Sequence, residues 1–349
     1  HPKGCMHSHR TCLAAGLGAV YWRGFNAESV FLAVAPMFHM LGMQNGMNIP
    51  MMAGATVVMM PRWHAELAGF VMARYGVSVW TAPPAMVIDF FAKPANAQRD
   101  LSSLAVLSGG GAAMPEAVSA MLKDKFDIAF NEAYGLTESA AFLHANPLLH
   151  GKKQCLGIPT FGVTSHVVDP VTLEDVALGE VGELVSHGGQ IMLGYWKNDA
   201  ANASAFFERD GKRFFRPGDL VSVDEDGYYF MRDRLKRMVN VSGYKVWPAE
   251  IESMLYEHPA VHEACVIALP DAKAGEQVKA LLVLKPGEQV APEAVIAWCR
   301  ERMAAYKVPR QVGFIAELPK SGTGKIMWRE LQEQERAQLA QAQGAVRVD

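Results

Sequence analysis

A lysine on a glycine-rich turn near the C-terminus is the residue whose setting most directly suggests chemistry. The run SGTGKI at residues 321–326 contains Lys325. A flexible loop can bring such an amine to an anionic substrate, where a positioned cation stabilises negative charge. A nucleotide P-loop would need a glycine five residues before the Gly-Lys pair and Ser or Thr after it, but Pro319 and Ile326 stand there. A solvent-exposed hairpin lysine is the structural alternative.

A second run, YGLTE at residues 134–138, combines several chemically distinct groups. The Tyr134 ring can stack on a base, and Gly135 lets a ligand approach the backbone. The Thr137 hydroxyl can hold a phosphate oxygen, and the Glu138 carboxylate offers the oxygen ligands that Mg²⁺ prefers. The alternative is an ordinary turn after a strand.

The turn RPGD at residues 216–219 admits two interpretations. Asp219 can accept hydrogen bonds from ribose hydroxyls. Turns of this composition are also common on protein surfaces, and the residues alone leave both interpretations open.

Near the N-terminus, a cysteine and histidine pattern suggests a zinc site. Cys5, His9 and Cys12 would share one helical face, with His7 nearby. Nothing in the sequence supplies the surrounding shell of ligands, so buried or capped side chains are the alternative.

The elements that must position these groups alternate between short apolar strands and helical segments up to about residue 150, which predicts βαβ units and a mostly parallel sheet. Ligands bind beyond the carboxyl ends of the strands in such sheets. The glycine loop Gly109, Gly110 and Gly111 and the loop that begins at Glu132 each follow a strand, so both are candidate ligand-binding loops. The predicted strands are Val30–Val34, Thr56–Met60, Ser78–Thr81, Ala105–Leu107 and Ile128–Phe130.

The pattern changes after residue 156. Short strands with Gly, Pro and Asp turns over residues 157–231 predict a small antiparallel barrel or a distorted sheet. A charged connection, DRLK, follows at residues 233–236. Beyond it, a compact α+β domain is predicted from helices at Ala249–Tyr256 and Pro292–Met303 and strands at Val261–Leu269 and Val278–Leu284.

The predicted fold is therefore α/β, with mostly parallel sheet layers and a small β-barrel subdomain, followed by a small α+β C-terminal domain. The predicted bounds are residues 1–156 and 157–232 for the two parts of the large domain, 233–236 for the connection and 237–349 for the C-terminal domain.

The composition is that of a globular protein, with 50% apolar and 20% charged residues among 349. Because 33 basic residues face 36 acidic ones, no nucleic-acid partner is expected. Five scattered cysteines favour reduced thiols in a cytoplasmic compartment. Residues 29–61 carry no Asp, Glu, Lys or Arg, but Pro36 and Pro50 interrupt them, so no transmembrane segment is predicted.

Read in order, these motifs resemble the adenylate-forming superfamily of acyl-CoA synthetases, luciferases and peptide-synthetase adenylation domains. Residues 2–4 (PKG) are similar to the end of its Ser/Thr/Gly-rich phosphate loop, and residues 134–138 match its Tyr-Gly-x-Thr-Glu motif. Gly218-Asp219 matches its ribose-binding aspartate. DRLK at 233–236, together with SGYK at 242–245 and PAEIE at 248–252, is similar to the hinge and first loop of the family's C-terminal domain. Residues 319–325 are similar to the loop that carries its adenylation lysine. The resemblance covers nearly the whole chain.

On the nucleotide side, the resemblance implies that Tyr134 lies against adenine and that Thr137 contacts phosphate. Glu138 would hold Mg²⁺, and Asp219 and Arg234 would bind the ribose. The remaining cofactor-binding candidates in this part are Gly109, Gly110, Gly111 and Gly135, with Gly110 also at the substrate pocket.

In the C-terminal part, the resemblance implies that Lys236 is the hinge of a mobile domain. Gly243 would let the pantetheine arm pass close to the backbone, since glycine has no side chain to obstruct it. Lys245 is a further cofactor-binding candidate. Lys325 would bridge the carboxylate and the α-phosphate during adenylation, where lysine acts as a point charge.

The segment PMFH at residues 36–39 aligns with the family's acyl pocket, and its residues bear on the choice of acid. Amino-acid-activating relatives commonly place an aspartate where His39 stands, which argues against an amino acid. Met40, Met43 and Met47 recur at helical spacing and would suit a flexible acyl chain, although such a stripe is also typical of a core. The run GYKVWP at residues 243–248 resembles fatty-acyl-CoA ligases more than aryl-CoA ligases.

The implied function is an ATP-dependent acid–CoA ligase that forms an acyl-adenylate with release of pyrophosphate and then an acyl-CoA thioester, from a medium- or long-chain fatty acid. Mg²⁺, ATP and CoA are the expected cofactor and cosubstrates, and a homodimer stays open. The alternatives are an amino- or aryl-acid adenylation module and a catalytically impaired nucleotide-binding remnant. The start at His1 suggests N-terminal truncation within the phosphate loop, so weak or absent activity is expected of this chain alone.

Overall fold

A computed structural model of the chain describes residues 3–111, 114–271, 273–321 and 326–345. The chain forms two compact units. The first comprises His1–Pro217 and Val221–Met231, and the second comprises Gly218–Leu220 and Arg232–Asp349. This division falls beside the predicted connection at residues 233–236, and the finer domain bounds stay a prediction.

The first part of unit one alternates strands and helices, as the sequence predicts. Its strands are β1 (Cys5–Met6), β2 (Val30–Ala33), β3 (Thr56–Met59), β4 (Val79–Thr81), β5 (Val106–Gly109), β6 (Phe130–Tyr134), β7 (His144–Ala145) and β8 (Ile158–Pro159). Its helices are α1 (His9–Arg23), α2 (Met40–Met43), α3 (Ile49–Ala53), α4 (Ala65–Tyr75), α5 (Pro84–Phe91), α6 (Pro94–Ala97) and α7 (Glu116–Phe126).

Seven of these strands form one sheet in the order β3-β2-β4-β5-β6-β7-β8. The five strands from β3 to β6 are parallel, and β7 and β8 add antiparallel pairs. Four of the five predicted strands are confirmed. The prediction of a strand at Ile128–Phe130 was wrong in its bounds, because the strand runs through the polar residues Asn131 and Glu132 to Tyr134.

Alternation along β2 and β4 explains why these two central parallel strands are mainly apolar. Val79 packs in one hydrophobic cluster and its neighbour Trp80 in another, and Phe31 and Leu32 divide in the same way. Because successive strand side chains point to opposite faces, the two clusters cover both faces of the sheet. This burial fixes the strand ends from which the candidate loops emerge.

Antiparallel strands make up the next part of the chain, with one short helix, α8 (Asp199–Ala205), and the start of β14 and the end of β15 fall in unit two. The strands are β9 (Val163–Val168), β10 (Gly182–Gly188), β11 (Gly194–Tyr195), β12 (Phe206–Arg209), β13 (Lys212–Phe215), β14 (Asp219–Val223) and β15 (Tyr229–Arg234). Six of them form a sheet in the order β12-β13-β10-β14-β15, with β9 also paired to β10. The predicted barrel is corrected to an open, branched sheet, since β12 and β15 end the path without pairing to each other among the described residues. β11 pairs instead with β1.

Unit two has a five-stranded sheet with helices on both faces. Its strands are β16 (Val239–Val241), β17 (Tyr244–Val246), β18 (Val261–Asp271), β19 (Gly275–Leu284) and β20 (Gln311–Phe314), and its helices are α9 (Pro248–Leu255), α10 (Pro292–Arg300) and α11 (Trp328–Ala345). Alternate residues of β18 pack with α9 and α10 on one face and with α11 on the other. The predicted α+β fold of this part is confirmed.

Two findings concern features that the sequence raised. Among the described residues, none of the helices has both the length and the apolar character of a membrane span. All five cysteines are free, and Cys155, Cys265 and Cys299 are buried.

Candidate active site

The glycine loop after β5 is shaped by its neighbours in the sheet. A methyl group on Gly109 would lie 2.0 Å from the carbonyl oxygen of Ala82, and one on Gly110 would lie 2.3 Å from that of Ala133. Backbone of β6 and of the residue after β4 therefore leaves no space for a side chain at either position. This close approach explains both glycines without a ligand, and their assignment to the nucleotide and the substrate pocket stays a prediction. Gly111 adopts a positive φ of 85° at the end of this loop.

Tyr134 ends β6 and is buried, with 7% of its surface exposed. Its ring lies edge-on to His144, with centroids 5.9 Å apart, in a cluster that includes Tyr229. Complete burial lowers the pKa of His144 to about 3, so this imidazole is neutral. The structure thus gives Tyr134 a packing role, and its contact with adenine stays a prediction. The next residue, Gly135, is also crowded: a methyl group built on it would lie 2.2 Å from the carbonyl oxygen of Ala141, so backbone leaves no space for a side chain there.

Thr137 and Glu138 lie side by side in a 3₁₀ turn, Thr137–Ser139, which Gly135 and Leu136 separate from the end of β6. Thr137 is exposed and Glu138 is half-buried. The turn is tied down at its backbone, because His7 Nε2 donates to the Thr137 carbonyl at 2.7 Å and the Met192 N–H donates to the Glu138 carbonyl at 2.8 Å. An exposed hydroxyl and a neighbouring carboxylate are therefore held at the carboxyl edge of the parallel sheet.

The carboxylate of Glu138 has a partner that sequence reasoning missed. The Tyr195 hydroxyl donates to Glu138 Oε1 at 2.7 Å, and Lys3 Nζ lies 4.3 Å from the centre of the Tyr195 ring. Burial, with the nearby Glu138 charge, raises the pKa of the Cys5 thiol to about 11, so that thiol stays protonated. Fifty-seven residues separate Tyr195 from Glu138, and no spacing in the sequence signals the contact.

The two predicted ribose-binding residues lie together in unit two. Asp219 is 1% exposed, and Arg234 Nε lies 3.1 Å from its Oδ1. The Arg234 side chain is 57% exposed. The Leu235 N–H donates to the Gly218 carbonyl at 2.8 Å, which fixes the chain beside this pair. The structure therefore supplies a buried carboxylate covered by an accessible guanidinium.

Lys236, the predicted hinge, lies exposed in a 3₁₀ turn, Leu235–Arg237, between two anchored residues. Asp233 accepts the N–H of Ala249 at 2.7 Å and so caps the start of α9. Arg237 pairs with Glu252 and also donates to the Val266 carbonyl at 3.2 Å. Burial raises the pKa of the Glu252 carboxyl against the opposing effect of Arg237.

Gly243 lies at the tip of the hairpin that joins β16 and β17. Ser242 and Gly243 both have positive φ, 52° and 89°, as a two-residue type I′ turn requires. Nothing lies within 4 Å of a methyl group built on Gly243. Lys245 is exposed on β17, opposite Asn240. The hairpin therefore offers open backbone beside a cation, and the roles of Gly243 and Lys245 stay predictions.

The predicted acyl segment departs from a regular helix. His39 caps α2, since its Nδ1 accepts the N–H of Leu41 at 3.2 Å. Between α2 and α3 the chain forms a π-helix, Gln44–Asn48. Met40 and Met43 are half-buried, whereas Met47 and Met51 are 39% and 72% exposed. The expected regular stripe is therefore wrong beyond Met43, because the wider π turn shifts the following residues around the axis.

Lys325 lies outside the described residues, as do residues 322–324. The ends of its loop are described: Lys320 and Ile326 form an isolated β-bridge, and the Met327 N–H donates to the Pro319 carbonyl at 2.8 Å. The role of Lys325 stays a prediction.

The suggested zinc site is not supported where the structure can test it. Cys5 belongs to β1, and α1 begins only at His9, so Cys5 and Cys12 do not share a helical face. Residues 3–345, outside the gaps given above, contain no group of three His, Cys, Asp or Glu side chains suited to a metal ion.

Two models of known protein families match this chain. One described as AMP-binding enzyme matches residues 1–196, and one described as AMP-binding enzyme C-terminal domain matches residues 250–325.

Curated relatives include several CoA ligases. The chain is 33% identical over 339 residues to a long-chain-fatty-acid–CoA ligase of Bacillus subtilis, and 33% identical over 328 residues to a feruloyl-CoA synthase of an Amycolatopsis species. These alignments take in 96% and 93% of this chain and 60% and 66% of the relatives. The chain thus spans less than two thirds of their length.

Solved structures share the fold. The ATP-bound MatB of Rhodopseudomonas palustris superposes with a TM-score of 0.89 at 27% identity, over 96% of this chain and 65% of that one. The anthranilate CoA ligase AuaEII, in complex with anthranoyl-AMP, gives 0.81 at 30% identity, over 97% and 66%.

Proposed function

This chain belongs to the AMP-binding enzyme family, and we propose that the complete protein is an ATP-dependent acid–CoA ligase. It would join a carboxylic acid to AMP with release of pyrophosphate and then transfer the acyl group to the thiol of CoA. The curated relatives described above are named as CoA ligases, which supports this reaction type.

The observation that carries the proposal is the turn at Thr137–Ser139. It presents an exposed hydroxyl and a hydrogen-bonded carboxylate at the carboxyl edge of the sheet. Parallel α/β sheets bind ligands at that edge. The Thr137 hydroxyl would donate to a phosphate oxygen of ATP and keep it aligned for attack by the acid.

Mg²⁺ fits the donor chemistry of this turn. It usually keeps several waters and binds through one or two carboxylates together with substrate phosphates, so the single carboxylate of Glu138 suffices. Glu138 would hold the ion, whose charge would offset that of the phosphate oxygens. The Tyr195 hydroxyl occupies Oε1 as a donor and would limit how that carboxylate turns.

In unit two, the Asp219–Arg234 pair would recognise the ribose. A buried carboxylate is a good acceptor for a diol, because it is desolvated and its direction is fixed by the chain around it. Lys325 would place its ammonium between the acid's carboxylate and the α-phosphate, where two negative groups approach each other. Gly243 would border the pantetheine arm in the thioester step, because no side chain obstructs its open hairpin.

A medium- or long-chain fatty acid is the proposed substrate. His39 at the acyl segment supplies no carboxylate for a substrate amine, and Met40 and Met43 offer adaptable apolar surface. An aryl acid is the second candidate, since the feruloyl-CoA synthase is as similar in sequence as the fatty-acid ligase.

The test of this function is ATP–pyrophosphate exchange by the complete protein with palmitate, octanoate, ferulate, 4-coumarate and a set of amino acids. Exchange should be fastest with the fatty acids, and free CoA should yield the thioester. Faster exchange with the aryl acids would favour the second candidate. Exchange with amino acids and no thioester with free CoA would overturn the ligase.

Lys325→Ala isolates the adenylation step. A lost charged contact of about 1.5–3 kcal/mol in the transition state lowers the exchange rate by about 10–150-fold. Thioester formation from a supplied acyl-adenylate should stay near the wild-type rate, and Lys320→Ala, at the base of the same loop, is the matched control. Wild-type exchange by Lys325→Ala would remove this lysine from the mechanism.

A further inference from the structure

Tyr195 links two segments of unit one that are far apart in the sequence. It belongs to β11, whose antiparallel partner is β1, with Tyr195 opposite Cys5. Its hydroxyl donates to Glu138 Oε1 at 2.7 Å, and its ring lies 4.3 Å from Lys3 Nζ. One side chain therefore contacts both the predicted Mg²⁺ carboxylate and the lysine at the start of the described chain.

Packing fixes the direction in which this hydroxyl points. Tyr195 is 5% exposed and packs with Met192, Ala205 and Phe215. A carboxylate has no proton to give in this contact, so the Tyr195 hydroxyl is the donor and Glu138 Oε1 the acceptor. Because this packing holds the ring in place, the hydroxyl has a fixed position, and the Glu138 carboxylate must orient toward it to accept the hydrogen bond.

The backbone around this contact is held as well. The Met192 N–H donates to the Glu138 carbonyl at 2.8 Å, and the Leu193 N–H donates to the Met6 carbonyl at 2.9 Å. The strand that carries Tyr195 is thus bonded to the Glu138 turn on one side and to β1 on the other. Tyr195 stands where these segments meet.

We propose that Tyr195 is a positioning residue for adenylation: its hydroxyl sets the orientation of Glu138 toward the metal–nucleotide complex, and its ring holds the amine of Lys3 beside it. This inference rests on the proposed function. Outer partners of metal-binding carboxylates typically contribute about 10–100-fold to metal affinity or activity. We expect a loss in that range when the hydroxyl is removed.

Tyr195→Phe removes the hydroxyl and keeps the ring. Tyr228→Phe is a close control, because Tyr228 is also buried, lies 4.5 Å from an amine, Lys152 Nζ, and donates its hydroxyl to the His150 carbonyl at 2.5 Å. Both variants would be made in the complete protein. Thermal unfolding would establish that both remain folded.

The first measurement is direct binding of Mn²⁺ with ATP, by electron paramagnetic resonance, which does not depend on turnover. Tyr195→Phe should weaken Mn²⁺ binding in the presence of ATP by about 10-fold or more and raise the Mg²⁺ concentration needed for half-maximal exchange. Tyr228→Phe should match the wild type in both. If the two variants bind Mn²⁺ alike, Tyr195 does not position Glu138.

A double-mutant cycle tests the route of the effect. If Tyr195 acts through Glu138, then Tyr195→Phe should add little to the loss already caused by Glu138→Gln. Additive losses would overturn the proposal. Tyr195→Leu, which removes the ring as well, should bind MnATP more weakly than Tyr195→Phe, and equal binding would remove Lys3 from the inference. A wild-type protein that binds MnATP but activates no acid would refute the proposed function and leave the binding test of Tyr195 intact.

Discussion

Gly110 in unit one and Gly243 in unit two lie in two predicted ligand-binding segments, yet their surroundings are opposite. A methyl group on Gly110 would meet the Ala133 carbonyl oxygen at 2.3 Å, whereas one on Gly243 would find nothing within 4 Å. Gly110 is glycine because neighbouring backbone fills the space. Gly243 is glycine because its φ of 89° disfavours any other residue.

The comparison separates two kinds of candidate loop. The loop after β5 lies against the backbone of β6, its neighbour in the parallel sheet, so its position is fixed by the fold. The β16–β17 hairpin keeps only a conformational requirement and leaves room for a ligand. Four experiments test whether this contrast holds.

Arg237→Met tests whether the segment that leads into the β16–β17 hairpin of unit two is held firmly by the ion pair of Arg237 with Glu252. The Arg237 and Glu252 side chains are only 14% and 15% exposed. Removing one partner of a buried pair leaves a buried charge and costs about 3–5 kcal/mol of unfolding free energy. Lys307→Met, which removes the partner of the more exposed Glu250, should cost about 1 kcal/mol or less. Urea unfolding measures the loss of unfolding free energy in both variants. Equal small losses would mean that the Arg237–Glu252 pair does not hold the segment before the hairpin.

Gly110→Ala tests the frame around the loop of unit one. Its new methyl group would press against backbone, and overpacking of this kind costs about 1–3 kcal/mol. Gly18→Ala, in the middle of α1 with nothing within 4 Å, should instead gain up to about 1 kcal/mol from helix propensity. A Gly110→Ala protein of wild-type stability would show that the loop can move aside.

The buried imidazole behind Tyr134 gives unit one a pH dependence. His144 has its pKa lowered to about 3, below the ordinary value of 6.5, so the unfolded chain binds a proton that the folded one does not. Stability is therefore retained above about pH 6.5 and falls on acidification by up to about 1.4 kcal/mol per pH unit.

Urea unfolding at pH 7 and at pH 5 would measure this slope. His144→Phe keeps a ring at the position and should flatten the dependence, while the exposed His9→Gln should leave it unchanged. The same slope in His144→Phe and the wild type would assign the effect elsewhere.

Gly243→Ala should have the smallest effect on stability and a selective effect on function. Alanine at a left-handed position costs about 1–2 kcal/mol, with no clash to add. Gly287→Ala, with φ 84° and equally open surroundings, carries the same strain away from the hairpin. If the hairpin borders CoA, Gly243→Ala slows thioester formation and spares exchange, and Gly287→Ala affects neither. Equal rates in the two variants would remove Gly243 from the CoA site.

The sequence predicted most of the fold because its strands are apolar runs buried on both faces. It failed at β6, where Glu132 lies buried inside a strand. That carboxylate accepts the N–H groups of Met114 and Cys155 at 2.9 and 3.1 Å. The buried polar side chain is tolerated because these two residues, distant in the sequence, satisfy its hydrogen bonds. Contacts of this kind have no local pattern.

The candidate site divides in a similar way. The turn with Thr137 and Glu138 is visible in the sequence because its groups are consecutive. The pair Asp219 and Arg234 was predicted through the family resemblance, residue by residue. Tyr195 was missed because its contact joins residues 57 positions apart in the sequence, and the backbone bond beside it, from the Met192 N–H to the Glu138 carbonyl, is also long-range.

The π-helix at Gln44–Asn48 has a consequence for how this segment tolerates a change in length. A π-helical turn holds one residue more than an α-helical turn, so deleting one residue from it closes an ordinary α turn and leaves α2 and α3 where they are. The same deletion in the middle of α1 would rotate every residue that follows in that helix by about 100°, the angle between successive residues of an α-helix. Between Gln44 and Asn48 the chain can therefore lose a residue without moving Met40 or Met51.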